Sequence, residues 1–402
     1  MMAGQWQPVA AGAAAGAGAA TAVTLALLQR YLQRELKPPS LHHKGVKEDA
    51  DDDLRLLQVK LLLRDYWPHP ILEFTGYLST AWSGMWAVLP THASGKVERL
   101  KLKDGGTVSL QWSKPPLNPS NHPSNRVVLI LPGLNNDSRT SFVQATMHYF
   151  SEGGFQAVAL NYRGIGGVEL TSARVGCADS WRDLNEVIDH IVAARPGAIL
   201  FAMGFSMGAG LLLRYAGEEG PHLRLRGVVA IAAPVDFPAV GQSLESSFKK
   251  LALNFIMVSG VKGMMMRSLW TSEFAKAADF GRALRARTLR QLEEATICRM
   301  HGYKDAEDYY TQNSPRPVIG RIAVPTLIVN AEDDPVVSVK TLPLEVLNSN
   351  PRIYTATTRR GGHIGWGSGG LGSASWTDSM ARNFLEVCTT WTSERVTAQS
   401  RL

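Results

Sequence analysis

The sequence predicts an α/β protein built on a mostly parallel sheet, with helices on both faces and a helical cap insertion. Three observations predict this class. Short apolar runs typical of strands buried on both faces recur along the chain. Helix-like stretches separate several of these runs, which is the alternation that produces a parallel sheet. One interval, residues 236–320, is too long for a simple crossover and carries helical patterns of its own.

The first 60 residues differ in composition from the rest. Residues 9–28 form an uncharged run of about the length that crosses a bilayer as a helix. Basic residues follow this run and none precedes it, which would place the remainder in the cytosol. We therefore expect a single-pass membrane anchor within residues 1–38; the alternative is a disordered or loosely helical leader on a soluble cytoplasmic protein. Residues 39–60, with the acidic "EDADDD", indicate a solvated polar linker.

The folded part divides into an extension, a core and an insertion. Residues 61–125 read as an extension that packs on the core, with a hairpin signal around the turn "DGG" at 104–106. The core is predicted over 126–235 and 321–392, and the cap over 236–320. Five buried strands are expected, in "RVVLILPGL" (126–134), "FQAVALNYRG" (155–164), "GAILFAMGFS" (197–206), "LRGVVAIAAP" (225–234) and "VPTLIVNAEDDP" (324–335). The helices between them are expected at 141–153, 180–195 and 209–217.

Composition narrows the possible functions. A chain of 402 residues with 45% hydrophobic residues can bury a large core. The formal net charge of +7 is spread without a long basic block, which disfavours nucleic-acid binding. Cys177, Cys298 and Cys388 are too widely spaced for a C-x-x-C zinc motif, and their number disfavours a disulfide framework. We expect neither a metal nor an organic cofactor.

The stretch "GFSMG" (204–208) carries the first functional signal. It matches G-x-S-x-G between a predicted buried strand and a predicted helix, where a strained turn lifts the serine hydroxyl above the sheet. The free N–H groups at the start of that helix can face developing negative charge. We therefore predict Ser206 as a nucleophile rather than a small residue in a tight corner.

A serine nucleophile needs a base, and that base needs a carboxylate. Downstream of Ser206 stand three histidines, and only His363, in the glycine-rich "RRGGHIGWG", follows a strand-like segment at a place suited to reach over the sheet. The carboxylate is expected after the strand at 324–332, where Asp333 and Asp334 are adjacent. We assign the role to Asp334, whose following Pro335 fixes the turn, with Asp333 as the alternative.

The backbone donors for an oxyanion are predicted from position alone. One is expected directly after the nucleophile, which is the N–H of Met207. The second is expected in the loop after the first core strand, "LILPGLNNDS", where Leu134 is the candidate.

At this point the sequence resembles a known family, the YheT-like branch of the α/β-hydrolase superfamily. That branch includes plant embryogenesis-associated hydrolases and animal membrane-anchored α/β-hydrolase-domain lipases. The matching stretches, spread over roughly residues 80–390, are "LPGLNNDS", "NYRGIGG", "GFSMGAGLLLRYAGEEG", "APVDF", "RTLRQLEEATICRMHGYKDAEDYYTQNSP", "VPTLIVNAEDDP" and "GGHIGW". The resemblance implies an α/β-hydrolase fold, a Ser206–Asp334–His363 triad, hydrolysis of lipid-type esters and membrane association.

The sequence therefore predicts a membrane-associated serine hydrolase that cleaves a carboxylic ester, with an acylglycerol or phospholipid acyl chain as the expected substrate. Two alternatives stay open. The same residues serve thioester or amide cleavage and acyl transfer, and a non-catalytic binding protein can share the fold. Residue types alone leave the acyl chain length, the head group, the oligomeric state and the membrane undetermined.

Overall fold

The structure is a computed structural model. It describes residues 37–44, 50–66, 68–69, 73–87, 95–114, 125–269, 276–367 and 374–391. The predicted anchor run at 9–28 lies outside these residues and stays a prediction. Among the helices that the structure does describe, none combines the length and apolar character needed to cross a bilayer.

Nine strands form one sheet in the part of the chain described. Along the chain they are β1 (Ser40–His42), β2 (Val97–Lys101), β3 (Thr107–Trp112), β4 (Arg126–Leu131), β5 (Gln156–Asn161), β6 (Ile199–Phe205), β7 (Val228–Ile231), β8 (Thr326–Ala331) and β9 (Ile353–Thr358). Their order across the sheet is β1-β9-β8-β7-β6-β4-β5-β3-β2. The six strands from β4 to β9 are parallel to their neighbours among themselves. The hairpin β2–β3 and strand β1 are antiparallel additions at the two edges.

Helices cover both faces of this sheet. They are α1 (Ala50–Leu62), α2 (Gly76–Ala87), α3 (Ser141–Glu152), α4 (Leu184–Ala194), α5 (Met207–Glu219), α6 (Phe237–Leu244), α7 (Phe248–Leu269), α8 (Phe280–Arg285), α9 (Leu289–Ala295), α10 (Ile297–His301), α11 (Ala306–Asn313), α12 (Leu344–Asn348) and α13 (Trp376–Trp391). Short 3-10 turns lie at Ala178–Asp183, Gly220–His222, Ile319–Arg321 and Val339–Thr341.

Strand β4 shows how the two faces are filled. Val127, Leu129 and Leu131 point into one apolar cluster with α4 and α5, whereas Val128 and Ile130 point into another with α3 and α13. The β4 side chains divide between the two clusters because alternate side chains of a strand leave opposite faces of the sheet. All of these β4 side chains are at most 2% exposed. The predicted fold class, a mostly parallel sheet between two helical layers, is confirmed.

The predicted cap interval, 236–320, holds helices α6 to α11 between β7 and β8. Several of these helices begin at a side-chain cap. Asp236, Asp279, Thr288 and Asp305 each accept a hydrogen bond from the backbone N–H three residues later, which satisfies a donor left free at a helix start. Four helices of the insertion therefore begin at residues whose side chains cap the helix start.

The structure differs from the predicted solvated linker over 39–60. This range contains β1, which pairs with β9 at the sheet edge, and most of α1. Helix α1 begins at Ala50, and Val59 near its end is fully buried against the sheet. This part of the chain is therefore folded against the sheet at β1 and at the end of α1.

Candidate active site

Ser206 stands on a sharp turn between β6 and α5. Its φ of 49° and ψ of −119° lie in a region that non-glycine residues rarely occupy. Its backbone N–H donates to the carbonyl of Ile231 at 2.9 Å, which fixes the turn to the neighbouring strand. This backbone arrangement holds the serine at the carboxyl end of the sheet and at the start of a helix.

Both glycines of "GFSMG" are required by close packing. A Cβ added to Gly204 would lie 2.6 Å from the carbonyl oxygen of Gly208. A Cβ added to Gly208 would lie 2.3 Å from the carbonyl oxygen of Leu131 and 2.4 Å from that of Pro132. Helix α5 therefore starts in backbone contact with the loop that follows β4, and only glycine permits that approach.

His363 reaches Ser206 from the loop after β9. Its Nε2 lies 2.8 Å from the Ser206 Oγ. The loop bends at Gly361 (φ 140°) and Gly362 (φ 53°), two conformations that favour glycine. The glycine-rich sequence thus provides the backbone path that brings the imidazole over the sheet edge.

Helix α2 supports the histidine loop from outside the core. The His363 N–H donates to the Thr80 Oγ1 at 2.9 Å, and the Ser79 Oγ donates to the Gly361 carbonyl at 2.9 Å. Sequence reasoning missed both residues, because a Ser-Thr pair on a helix more than 280 positions away gives no signal of this contact.

Asp334 completes a chain of hydrogen bonds. Its Oδ2 lies 2.9 Å from the His363 Nδ1, and its Oδ1 accepts from the N–H groups of Val336 and Val337 at 2.7 and 2.9 Å. The Asp334 side chain is fully buried. Because an ionised carboxylate only accepts, Nδ1 carries the imidazole proton and Nε2 is left to accept from the Ser206 hydroxyl.

The neighbouring Asp333 has other partners. Its Oδ1 accepts from the Gly362 N–H at 2.9 Å, and its Oδ2 lies 3.4 Å from the Arg360 guanidinium. Burial raises the pKa of this carboxyl above its ordinary value. Of the two candidate acids, the structure brings Asp334 to the imidazole and Asp333 to the backbone of the loop that carries it.

The loop after β4 lies against the serine. A Cβ on Gly133 would stand 3.2 Å from the Ser206 Cβ, and both Leu134 and Met207 line the space in front of that side chain. Met207 is the first residue of α5, so its N–H has no partner within the helix. Both predicted donors therefore belong to residues beside Ser206.

Two side chains from the end of β5 hold this loop. The Asn161 Oδ1 accepts from the Ser138 N–H at 2.8 Å, and the Tyr162 hydroxyl donates to the Pro132 carbonyl at 2.9 Å. Sequence reasoning included this Asn-Tyr pair only within the stretch "NYRGIGG", because the residue types do not show that the two side chains contact the loop 23 and 30 positions earlier.

An apolar pocket opens in front of Ser206, and we call it the serine pocket. Its cavity volume is about 110 Å³, and it opens to solvent. Its floor is the sheet end with Leu134 and Met207, and its far wall is the cap. The described cap and loop residues that line it are Phe237, Val240, Gly241, Leu244, Met257, Leu289, Glu293, Tyr309, Tyr310, Val336 and Val337. Among the described lining residues, Glu293 is the one acidic or basic side chain.

A second polar cluster joins the cap to the core away from Ser206. His301 Nε2 accepts from the Val175 N–H at 3.0 Å, so its Nδ1 donates to the Asp179 Oδ2, also 3.0 Å away. Cys177 and Asp179 could offer a cation their donor atoms together with His301. The Arg174 guanidinium pairs with Asp179 at 2.5 Å. Because this ion pair and the hydrogen bonds of His301 already use the donor atoms, the cluster is better suited to joining the cap to the core than to binding a metal ion.

A parallel sheet with a serine on a strained strand-to-helix turn, and a histidine and an acid on loops at the same edge, defines an α/β hydrolase. The family model described as "Serine aminopeptidase, S33" matches residues 122–346, more than half of the chain. The chain belongs to this family of the α/β-hydrolase superfamily.

Three curated relatives share sequence similarity with most of this chain. "Phospholipase ABHD3" of Bos taurus is 31% identical over 274 residues, which are 67% of this chain and 66% of that protein, slightly under two thirds of its length. "Putative esterase YheT" of Escherichia coli (strain K12) is 26% identical over 72% of this chain and 84% of that protein. "Monoacylglycerol lipase ABHD2" of Mus musculus is 25% identical over 90% of this chain and 88% of that protein. The resemblance to the YheT-like branch is confirmed.

Proposed function

We propose that this protein is a serine hydrolase that cleaves carboxylic esters of lipids through an acyl-enzyme. The observation that carries the proposal is the pair of hydrogen bonds Ser206 Oγ–His363 Nε2 (2.8 Å) and His363 Nδ1–Asp334 Oδ2 (2.9 Å). This is the arrangement in which a base can remove the proton of an ordinary alcohol while a buried carboxylate orients and stabilises the base.

The reaction runs in two halves. In the first, His363 takes the hydroxyl proton as Ser206 forms a bond to the ester carbonyl carbon, and the backbone N–H groups of Leu134 and Met207 stabilise the oxyanion. The imidazolium then protonates the leaving alcohol, and the acyl-enzyme remains. In the second half, His363 activates a water that attacks the acyl carbonyl, and Ser206 leaves with the proton as the carboxylic acid is released. Besides the ester and one water, these proton transfers involve only His363 and Ser206.

The substrate class is supported by the pocket and by the relatives' names. The serine pocket is apolar along nearly all its described lining, which suits an acyl chain. The matched relatives carry the names phospholipase, monoacylglycerol lipase and esterase, and we extend this common ester chemistry to the present chain. We propose a lipid acyl ester as substrate and the segment 9–28 as the element that associates with a membrane.

The proposal is tested by turnover of p-nitrophenyl butyrate and of 1-monoacylglycerols by wild type and by Ser206→Ala. We expect wild-type turnover and a loss on the order of 10⁶-fold in kcat for the variant, as for removal of the serine in other triads. Circular dichroism controls for folding. A folded Ser206→Ala protein as active as wild type would reject the proposal, and turnover of a matched thioester but of no ester would redirect it to thioesterase activity.

A further inference from the structure

Two apolar cavities lie side by side between the cap and the sheet. One is the serine pocket. The other, which we call the second cavity, has a volume of about 30 Å³ and is lined by Arg163 and by apolar side chains including Ile165, Val175, Val261 and Ile297. Leu134, Leu289 and Glu293 line both spaces. These three residues therefore form the partition between the two cavities.

Glu293 is the polar member of this partition. The Tyr310 hydroxyl donates to its Oε2, and the Tyr310 ring stacks under the Arg290 guanidinium at 5.4 Å. Burial raises the pKa of the Glu293 carboxyl to about 7. Helix α9 thus presents a hydrogen-bonded carboxyl, held in place by a second cap helix, between two spaces whose other described walls are largely apolar.

The Glu293 carboxyl limits the length of an acyl chain that can extend from Ser206. An acyl chain bound to Ser206 gains affinity for each methylene that leaves water, roughly fourfold per group. A methylene pressed against Glu293 would instead displace water from a polar group and offer it no hydrogen bond, which is unfavourable. Affinity should therefore stop rising once the acyl chain is long enough to reach the partition.

We propose that Glu293 is a specificity-determining residue that ends the acyl-chain site and excludes long chains from the second cavity. This inference rests on the proposed function, because it assigns an acyl chain to the serine pocket. It predicts a preference for chains that end before the partition, and it predicts that opening the partition joins the two cavities into one longer acyl site.

The test compares Glu293→Ala and Leu289→Ala, which both shorten the partition, with Glu293→Gln, which keeps its volume and a hydrogen-bonding oxygen. The measurement is kcat/KM for p-nitrophenyl esters of four, eight, twelve and sixteen carbons, with each value divided by that for the four-carbon ester. We expect either alanine variant to raise the normalised sixteen-carbon value by at least about tenfold, as burial of two more methylenes would give. Glu293→Gln should keep the wild-type profile.

The outcomes are distinguishable. Unchanged profiles in whichever alanine variants fold and hydrolyse the four-carbon ester would overturn the inference and leave the proposed function intact. A shift in Glu293→Gln as large as that in Glu293→Ala would also overturn it, because charge rather than the wall would then set the preference. A wild-type protein that hydrolyses none of the four esters would reject the proposed function, and this inference with it.

Discussion

At the scale of single residues, the adjacent acids after β8 divide two tasks. Asp334 contacts the imidazole, and two backbone N–H groups hold its other oxygen. Asp333 instead accepts from the Gly362 backbone and pairs with Arg360, so it shapes the loop that carries His363. Of these two adjacent acids, Asp334 would act in catalysis, whereas Asp333 would position the loop that carries His363.

This division predicts different effects of amide substitution. Asp334→Asn should lower kcat by about 10⁴-fold, because the amide cannot hold the imidazole in the required tautomer. Asp333→Asn should cause a far smaller loss, since its oxygen can still accept from Gly362. The measurement is ester hydrolysis by both variants, with the thermal midpoint as the folding control. Equal losses in two folded variants would contradict the assignment.

The sequence could predict the residues whose chemistry is local. Ser206 follows from the strand-to-helix motif, and His363 from chain order and its glycine-rich loop. It could not predict Thr80, Asn161 or Glu293, because each acts on a loop or cavity assembled from distant segments. Nothing in a polar side chain on a helix or at a strand end shows which distant backbone it will contact.

At the scale of elements, the contact between helix α5 and the loop after β4 positions the serine. Gly208 makes this contact possible, since any Cβ there would approach two carbonyl oxygens of that loop to within 2.4 Å. The turn at Ser206 and the neighbouring Gly133–Leu134 segment therefore depend on one glycine for their relative position.

We expect Gly208→Ala to destabilise the protein by about 1–3 kcal/mol, as overpacking does, and to impair hydrolysis. Gly263→Ala is the matched control, because its helical Cβ meets no atom within 4 Å and should stabilise α7 by roughly 0.5–1 kcal/mol. The free energy of unfolding in urea checks both. A Gly208→Ala protein as stable and as active as wild type would show that the helix and loop can separate without consequence.

The sequence predicts the core strands better than it predicts strand β1 and helix α1. The five core strands follow from short uninterrupted apolar runs, which are typical of strands buried on both faces. Strand β1 and helix α1 were not predicted, because three polar-flanked residues become a strand only when the edge of β9 is available. Pairing of this kind depends on a distant partner and leaves no periodic pattern in the sequence.

At the scale of the whole molecule, stability should depend on pH through a buried carboxyl. Glu73 is 2% exposed, and its Oε2 has no hydrogen-bond partner among the described residues. Burial raises its pKa from 4.5 to about 8. Between these two values the folded protein holds a proton that the unfolded chain releases, so the contribution of Glu73 to stability falls as pH rises from 4.5 to 8.

Glu73→Gln should remove this dependence. Relative to the variant, wild type should lose on the order of 3 kcal/mol in unfolding free energy between pH 5 and pH 8, as a shift of this size implies. Glu345→Gln, an exposed glutamate on α12, is the matched control and should follow wild type. Parallel pH curves for wild type and Glu73→Gln would contradict a buried, protonated Glu73.

The proposed catalysis depends on the Ser206 hydroxyl, which loops from distant parts of the chain would make reactive. The most direct test is to treat the protein with a fluorophosphonate, digest it, and locate the adduct by peptide mass spectrometry. We expect a single adduct on Ser206, formed in wild type, strongly slowed in His363→Ala and absent in Ser206→Ala. An adduct on another residue, or equal labelling of the folded Ser206→Ala protein, would contradict it.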